Sequence, residues 1–166
     1  QMDKAGHLVT SYYISRIGYT SLRWSGVDEK RAILYGGSLG FLFQSTIEIL
    51  DGFSAEWGAS TGDIIANTAG SLIFMGQQFG WGEQRITLKY SFHPTEYPDY
   101  RPDLLGSNIF QWPLKDYNGQ TYWLSTNIKS FFKGSNIPEW LNVSFGYSAD
   151  GMTGASENST EYNGKP

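Results

Sequence analysis

The sequence predicts an α+β protein: a three-helix N-terminal unit with a buried polar cluster, followed by an antiparallel β-region of about four strands. Three observations carry this expectation. Apolar and small residues recur at helical spacing over three stretches before Gly82; from Gly80 onward the period changes to that of a strand; and Asn118-Gly119 places a hairpin signal between two apolar runs. At 166 residues the chain can bury one core, or one domain with an appended sheet. The expected division is a helical unit over residues 1–82 and an aromatic-rich β-region over residues 83–166, read as a candidate piece of a longer chain.

The first helix is expected from Asp3 to about Trp24, with Leu8, Tyr12, Ile14 and Ile17 as apolar positions and Gly18 weakening its second half. A loop follows. Ser25 with Asp28 three residues on resembles a capping box, and Asp28 and Glu29 suit the positive end of a second helix over Val27–Leu50. Within it Gly36, Gly37, Ser38 and Gly40 form a smooth patch that another backbone can approach closely. Each mid-helix glycine costs about 1 kcal/mol relative to alanine, so close packing has to offset it. A third helix is expected to start at Ser60, with Asp63 completing a capping box, and to run to about Phe79 with Gly70 and Gly76 on a packing face.

The uncharged stretches Ala32–Ile47 and Ile64–Gly82 approach the length of a membrane span. Their Gly, Ser, Thr and Gln residues would leave polar groups facing lipid, so they are read as buried helices in preference to membrane-embedded ones.

Strands follow from alternation: Ile86, Leu88, Tyr90 and Phe92; Tyr122, Leu124, Thr126 and Ile128; Leu141, Val143, Phe145 and Tyr147. A fourth, short strand near Gln111–Tyr117 is expected to pair across Asn118-Gly119, with Pro113 confining it to an edge. His93–Asn108, with three prolines, reads as an ordered loop, in which His93 is too isolated to be functional. The tail from Gly151 is polar and rich in Gly and Ser. Two readings of the strands stay open. Their apolar face packs on the helices, or it faces lipid with Tyr and Trp at the ends as a girdle. Four strands cannot close a barrel, for which about eight is the smallest natural number, so a barrel needs strands from elsewhere.

Composition narrows the function classes. A net charge of -4 and the lack of any basic run argue against a nucleic-acid partner. With no cysteine, disulfides, thiolate metal sites and cysteine nucleophiles are excluded. The 16% aromatic content with 20 glycines suits envelope, barrel or carbohydrate-facing proteins. Gln1-Met2 reads as a trimmed N-terminus. No HExxH, nucleophile elbow, P-loop or dinucleotide fingerprint occurs.

The candidate site is a polar network of Asp3, Lys4, His7, Glu48, Asp51, Asp63 and Asn67, drawn from three helices toward a common centre. Helical spacing places Asp3 with His7, Glu48 with Asp51, and Asp63 with Asn67. One reading is structural: His7 bonds Glu48 or Asp63 across the helix interface, Lys4 neutralises Glu48, and the network locks the helices. The other is chemical. His7, Glu48 and Asp63 are the candidate catalytic and metal-binding residues, with a divalent metal such as zinc or manganese as the candidate cofactor and Glu48 as general base.

Asp3-Lys4-x-x-His7, then Glu48 and Asp51 closing a glycine-rich helix, then Ser60-x-x-Asp63-x-x-x-Asn67-x-x-Gly70 resemble the pattern of the YfiM-like family of uncharacterised bacterial cell-envelope lipoproteins. A looser similarity is to the VanZ-like family associated with glycopeptide resistance, from which the chain departs in lacking clear membrane spans. The resemblance covers Met2 to about Gly82, and Lys115–Ser125 looks like the β-region of longer members. It implies the bacterial cell envelope, on the periplasmic side or at the outer membrane, with no established reaction. The resulting expectation is a non-catalytic accessory protein, membrane-associated and a subunit of a protein complex. It would dock on an outer-membrane or other envelope protein, or on the membrane surface, through aromatics such as Trp112, Trp123 and Trp140. The competing expectation is a metal-assisted hydrolase of an envelope lipid or peptidoglycan-linked substrate; a glycan-binding module is a third.

Overall fold

The computed structural model describes residues 2–53 and 60–152. It is α+β, with three long helices followed by a three-stranded antiparallel sheet. The helices are α1 (Met2–Trp24), α2 (Glu29–Asp51) and α3 (Thr61–Trp81). The strands are β1 (Ile86–Phe92), β2 (Gln120–Asn127) and β3 (Asn142–Ser148), in the order β1-β2-β3. The chain divides into two compact units, one of Asp3–Leu88 with Ser125–Val143, the other of Lys89–Leu124 with the residues from Ser144 on.

In the first unit the helix boundaries follow local chemistry. Asp28, not Ser25, caps α2: its carboxylate accepts the Arg31 N–H at 3.1 Å, while the Ser25 hydroxyl donates back to the Ser21 carbonyl. Ser60 precedes α3 but its side chain caps nothing, so the expected capping box does not form. Gly82 closes α3 in the left-handed region at φ 69°, where glycine carries no Cβ penalty. Near its start α2 makes a π-helical turn, Ala32–Gly36.

The glycine patch works as expected at Gly36, Gly37 and Gly40, which are buried. A side chain at Gly36 would meet the backbone of Gly18 and Tyr19, and one at Gly40 the Ser11 carbonyl. Gly70 lies as closely against the Leu8 carbonyl, whereas Gly76 faces open space and packs on nothing. Three backbones therefore meet through glycine, at α1–α2 and α1–α3 crossings.

Glu48, Asp63 and Asn67 are buried, as the expected polar cluster requires, and so are Ala32, Ile33, Ala66 and Phe74, but many other apolar side chains of the two uncharged stretches, expected in the core, are exposed. On Gly37–Asp51 the buried residues are Gly37, Gly40, Gln44 and Glu48, while Leu39, Leu42, Phe43, Ile47, Ile49 and Leu50 are exposed. On α3 the buried set includes Asp63, Asn67, Gly70, Ser71, Gln77 and Gln78, and Ile64, Ile65, Leu72, Phe79 and Trp81 point outward. The two uncharged stretches were expected to be core helices because their polar groups would otherwise face lipid. Gln44, Asn67, Ser71, Gln77 and Gln78 face inward instead, while Ser38, Thr46 and Thr68 bond back to carbonyls of their own helices, so few of these groups would meet lipid unsatisfied. Among the described residues one helix, Glu29–Asp51, is long and apolar enough to cross a membrane by length and composition.

Much of the polar interior is hydrogen-bonded; among the described residues the buried side-chain atoms without a partner are Ser45 Oγ and Asn67 Nδ2. Ser11 donates to the Asn67 carbonyl at 2.6 Å and Ser15 to the Gly37 carbonyl at 2.5 Å. Gln77 pairs with both backbone groups of Ile86, at 2.8 and 2.9 Å, as a neighbouring strand would. Gln84 donates to the Phe74 carbonyl at 3.0 Å and accepts from the Tyr12 hydroxyl at 3.2 Å. At the far end the Arg85 guanidinium lies over Trp81 at 4.9 Å and Phe131 at 5.3 Å.

In the second unit the stretch expected as a fourth strand is a single helical turn, Trp112–Lys115. Proline suits the first turn of a helix and lacks the N–H a ladder needs, so Pro113 decides against a strand. Asn118-Gly119 forms no two-residue hairpin. Asp116, fully buried, accepts from the Thr95 hydroxyl at 2.6 Å and from the backbone and side-chain N–H of Asn118 at 3.1 Å. Asn118 in turn pairs with both backbone groups of Met152. His93–Asn108 holds two further turns, Tyr97–Tyr100 and Pro102–Leu105. Every residue of β3 is exposed. Beyond Gly151 and Met152, the expected polar tail lies outside the described residues.

Candidate functional site

The candidate residues gather where α1 begins, α2 ends and α3 begins. Asp3 and His7 are one turn apart on α1; Asp63 and Asn67 are one turn apart on α3; Glu48 lies in the last turn of α2. Burial graded along this set sorts their roles. Asn67 is 0% exposed, Glu48 3% and Asp63 5%, while His7 is partly covered and Asp3 and Lys4 reach solvent.

His7 finds a partner other than the two expected. Its Nδ1 lies 3.0 Å from Asn67 Oδ1, and with Nδ1 donating, the Nε2 lone pair is turned toward the Asp3 carboxylate at 3.8 Å. That separation is too long for a hydrogen bond. The Asn67 Nδ2, buried, finds no acceptor among the described residues.

Lys4 pairs with Asp63 at 3.4 Å, not with Glu48. Its stem runs across Gly62, where a larger residue would displace it. Glu48 is instead taken up by the backbone N–H of Ser60, the residue before α3. Its carboxylate therefore does from a distance what a cap residue does locally, satisfying an amide at a helix start. Asp51 is the last residue of α2 and joins none of these contacts among the described residues.

Asp3, His7 and Asp63 converge: one ligand-type atom from each lies within 4.8 Å of the others. This differs from the expected trio in having Asp3 where Glu48 was named. The reason is geometric, since Glu48 is committed to Ser60 while Asp3 shares a face with His7. Sequence reasoning missed Ser11, Ser15 and Ser71, although Ser11 and Ser15 stand one helical turn apart and signal a polar stripe. It also missed Gln77, Gln78 and Gln84, for which no spacing rule distinguishes an inward amide from a surface one.

Of the aromatics expected to form a docking face, Trp123 and Trp140 are exposed. Trp112 is partly covered, its indole N–H bonded to the Gly106 carbonyl at 3.1 Å. Trp123 packs over Gly146 and donates to the Ser91 hydroxyl at 2.9 Å.

Residues 1–75 match the model of a family described as "Predicted periplasmic lipoprotein (DUF2279)". No curated protein and no solved structure matches the chain. The match includes all three polar clusters and agrees with an uncharacterised envelope lipoprotein family. It singles out neither the YfiM-like nor the VanZ-like pattern.

Proposed function

We propose that this is an accessory protein of the cell envelope that holds its helical unit in a membrane, with the outer faces of α2 and α3 in the hydrocarbon phase. The similarity to a periplasmic lipoprotein family supports the envelope address. The observation that carries the membrane reading is the reversed partition: Gln44, Glu48, Asn67, Ser71 and Gln77 inside, and Leu42, Phe43, Ile47, Ile65 and Leu72 outside. In water this arrangement forfeits the main driving force of folding, because apolar area stays wet while polar groups are dehydrated. In hydrocarbon both terms change sign. Outward leucines cost nothing, and polar groups are tolerated where they satisfy one another internally. At 1.5 Å per residue, the 23 residues of α2 extend about 34 Å, against about 30 Å for a bilayer core.

The same geometry supports a general-base role for Glu48 poorly, since its carboxylate is occupied by the Ser60 amide. Scaffolding requires no nucleophile, and the accessory reading is retained.

Flotation with phosphatidylethanolamine–phosphatidylglycerol vesicles tests this. The full chain should float with the vesicles and resist extraction by high salt and by alkaline carbonate. A Leu42→Asn/Phe43→Asn/Ile47→Asn variant should be extracted. A monodisperse monomer in detergent-free buffer that ignores vesicles would overturn the reading.

A further inference from the structure

We infer that Asp3, His7 and Asp63 form a binding site for one divalent transition-metal ion, with Asn67 orienting the histidine. Each side chain offers a ligand atom, all within 4.8 Å of one another. Zinc bonds of 2.0–2.1 Å in a tetrahedron set ligands about 3.3 Å apart. Asp3, exposed at the start of α1, is free to close that difference by rotating.

The second observation is independent of the acidic residues. The fully buried Asn67 carboxamide accepts from His7 Nδ1, which leaves Nε2 facing the Asp3 carboxylate at 3.8 Å, with Asp63 in the same cluster. Metal-bound histidines are fixed in this way, the distal nitrogen donating to an oxygen while the other binds the ion. A lone pair beside a carboxylate is unfavourable unless a proton or a metal cation lies between them. The Lys4 ammonium, 3.4 Å from Asp63, supplies part of that charge.

One imidazole with two carboxylates favours Zn²⁺ or Mn²⁺ over Mg²⁺ and Ca²⁺, which take oxygen ligands. Three protein ligands also leave a position open, as in sites that bind water or a further ligand. The inference does not rest on the membrane reading, because its readout is metal and not lipid.

The test is equilibrium dialysis of the detergent-solubilised full chain against Zn²⁺, with Mn²⁺ in a parallel arm, followed by elemental analysis and X-ray absorption. One equivalent should be retained, with one imidazole and otherwise oxygen in the ligand shell. His7→Ala should lose binding, and Asp3→Asn, at an exposed position that does not threaten folding, should weaken it at least about tenfold. Asn67→Ala should weaken it about 10–100-fold, as for other residues that orient a ligand. Lys4→Ala should tighten it, since the ammonium competes for Asp63; a purely structural ion pair predicts no such gain. Retention of no metal by the parent, or equal retention by a folded Asp3→Asn/His7→Ala variant, would overturn the site.

Discussion

The hydroxyls of Ser15 and Ser71 lie 2.9 Å apart in the interior of the helical unit, where a water-soluble helical unit would place leucines. Ser71 also accepts the Phe41 amide at 2.8 Å and meets the Ser11 hydroxyl at 3.0 Å, so one small side chain ties α3 to both other helices. Ser71→Ala removes that common partner, taking an acceptor from the Phe41 amide and a hydrogen-bond partner from the buried Ser11 and Ser15 oxygens. The expected loss is about 1–3 kcal/mol. Thermal unfolding in mild detergent checks it, with the outward Leu72→Ala as the comparison. If the unit packs as described, the polar substitution costs more than the apolar one, the reverse of the order in a water-soluble core.

The three helices were legible in the sequence because acidic residues such as Asp28 mark a helix start and because glycine at Gly36, Gly40 and Gly70 has few uses in a helix other than close approach, though the stop at Gly82 lies three residues past the expected end at Phe79. Which face turns inward was not legible. Periodicity locates an apolar stripe but not the phase it faces, and a membrane reverses the assignment without changing a residue. Convergence of Asp3, His7, Asp63 and Asn67 followed from helical spacing once the helices were placed. The pairing within it did not, since Lys4 was expected on Glu48 and sits on Asp63, a choice fixed by helix rotation to a fraction of a turn. The β-region was read less well. Asn118-Gly119 carries a hairpin signal, yet Asn118 commits its side chain to Asp116, two residues before it, and to Met152, a segment far along the chain that no local signal announces.

Gly40 admits no side chain, because a Cβ there would press on the Ser11 carbonyl, a backbone atom that cannot turn aside. Gly40→Ala should therefore destabilise by about 1–3 kcal/mol despite alanine's better helix propensity. Gly76→Ala, in open space on the next helix, should stabilise slightly. Opposite signs at two helical glycines, read from melting temperatures, would support the crossing; equal signs would contradict it.

In the second unit the buried Asp116 carboxylate accepts three hydrogen bonds, from Thr95 and twice from Asn118. Asp116→Ala strands those donors, and a loss on the order of 3 kcal/mol is expected. Asn118→Ala should cost less than Asp116→Ala, though it also releases the Met152 backbone. Limited proteolysis is the sensitive measurement: Asn118→Ala should open cleavage near Met152, while Asp116→Ala should also expose the segment around Thr95. Identical cleavage patterns in both variants would mean the three residues do not act as described.

Tyr97 and Asp150 supply a pH dependence whose sign can be worked out. The phenol donates to the Asp150 carboxylate at 2.9 Å, and that bond, followed by desolvation and the aspartate's charge, raises Tyr97 above its ordinary value of 10.0. A group whose pKa is higher in the folded state contributes stability that is complete below its unfolded value, about 10, and is lost as pH rises through the folded value. Above that, a phenolate would face a carboxylate with no proton between them. The contact should therefore survive neutral and mildly alkaline conditions and open only in strong base. Phenolate absorbance, taken as parent minus Tyr97→Phe, should titrate above pH 10, and the same difference measured on an Asp150→Asn background should move back down, because the amide keeps an acceptor but loses the charge. A parent difference curve centred at or below the ordinary tyrosine value would show that the hydroxyl is not held by Asp150 in solution.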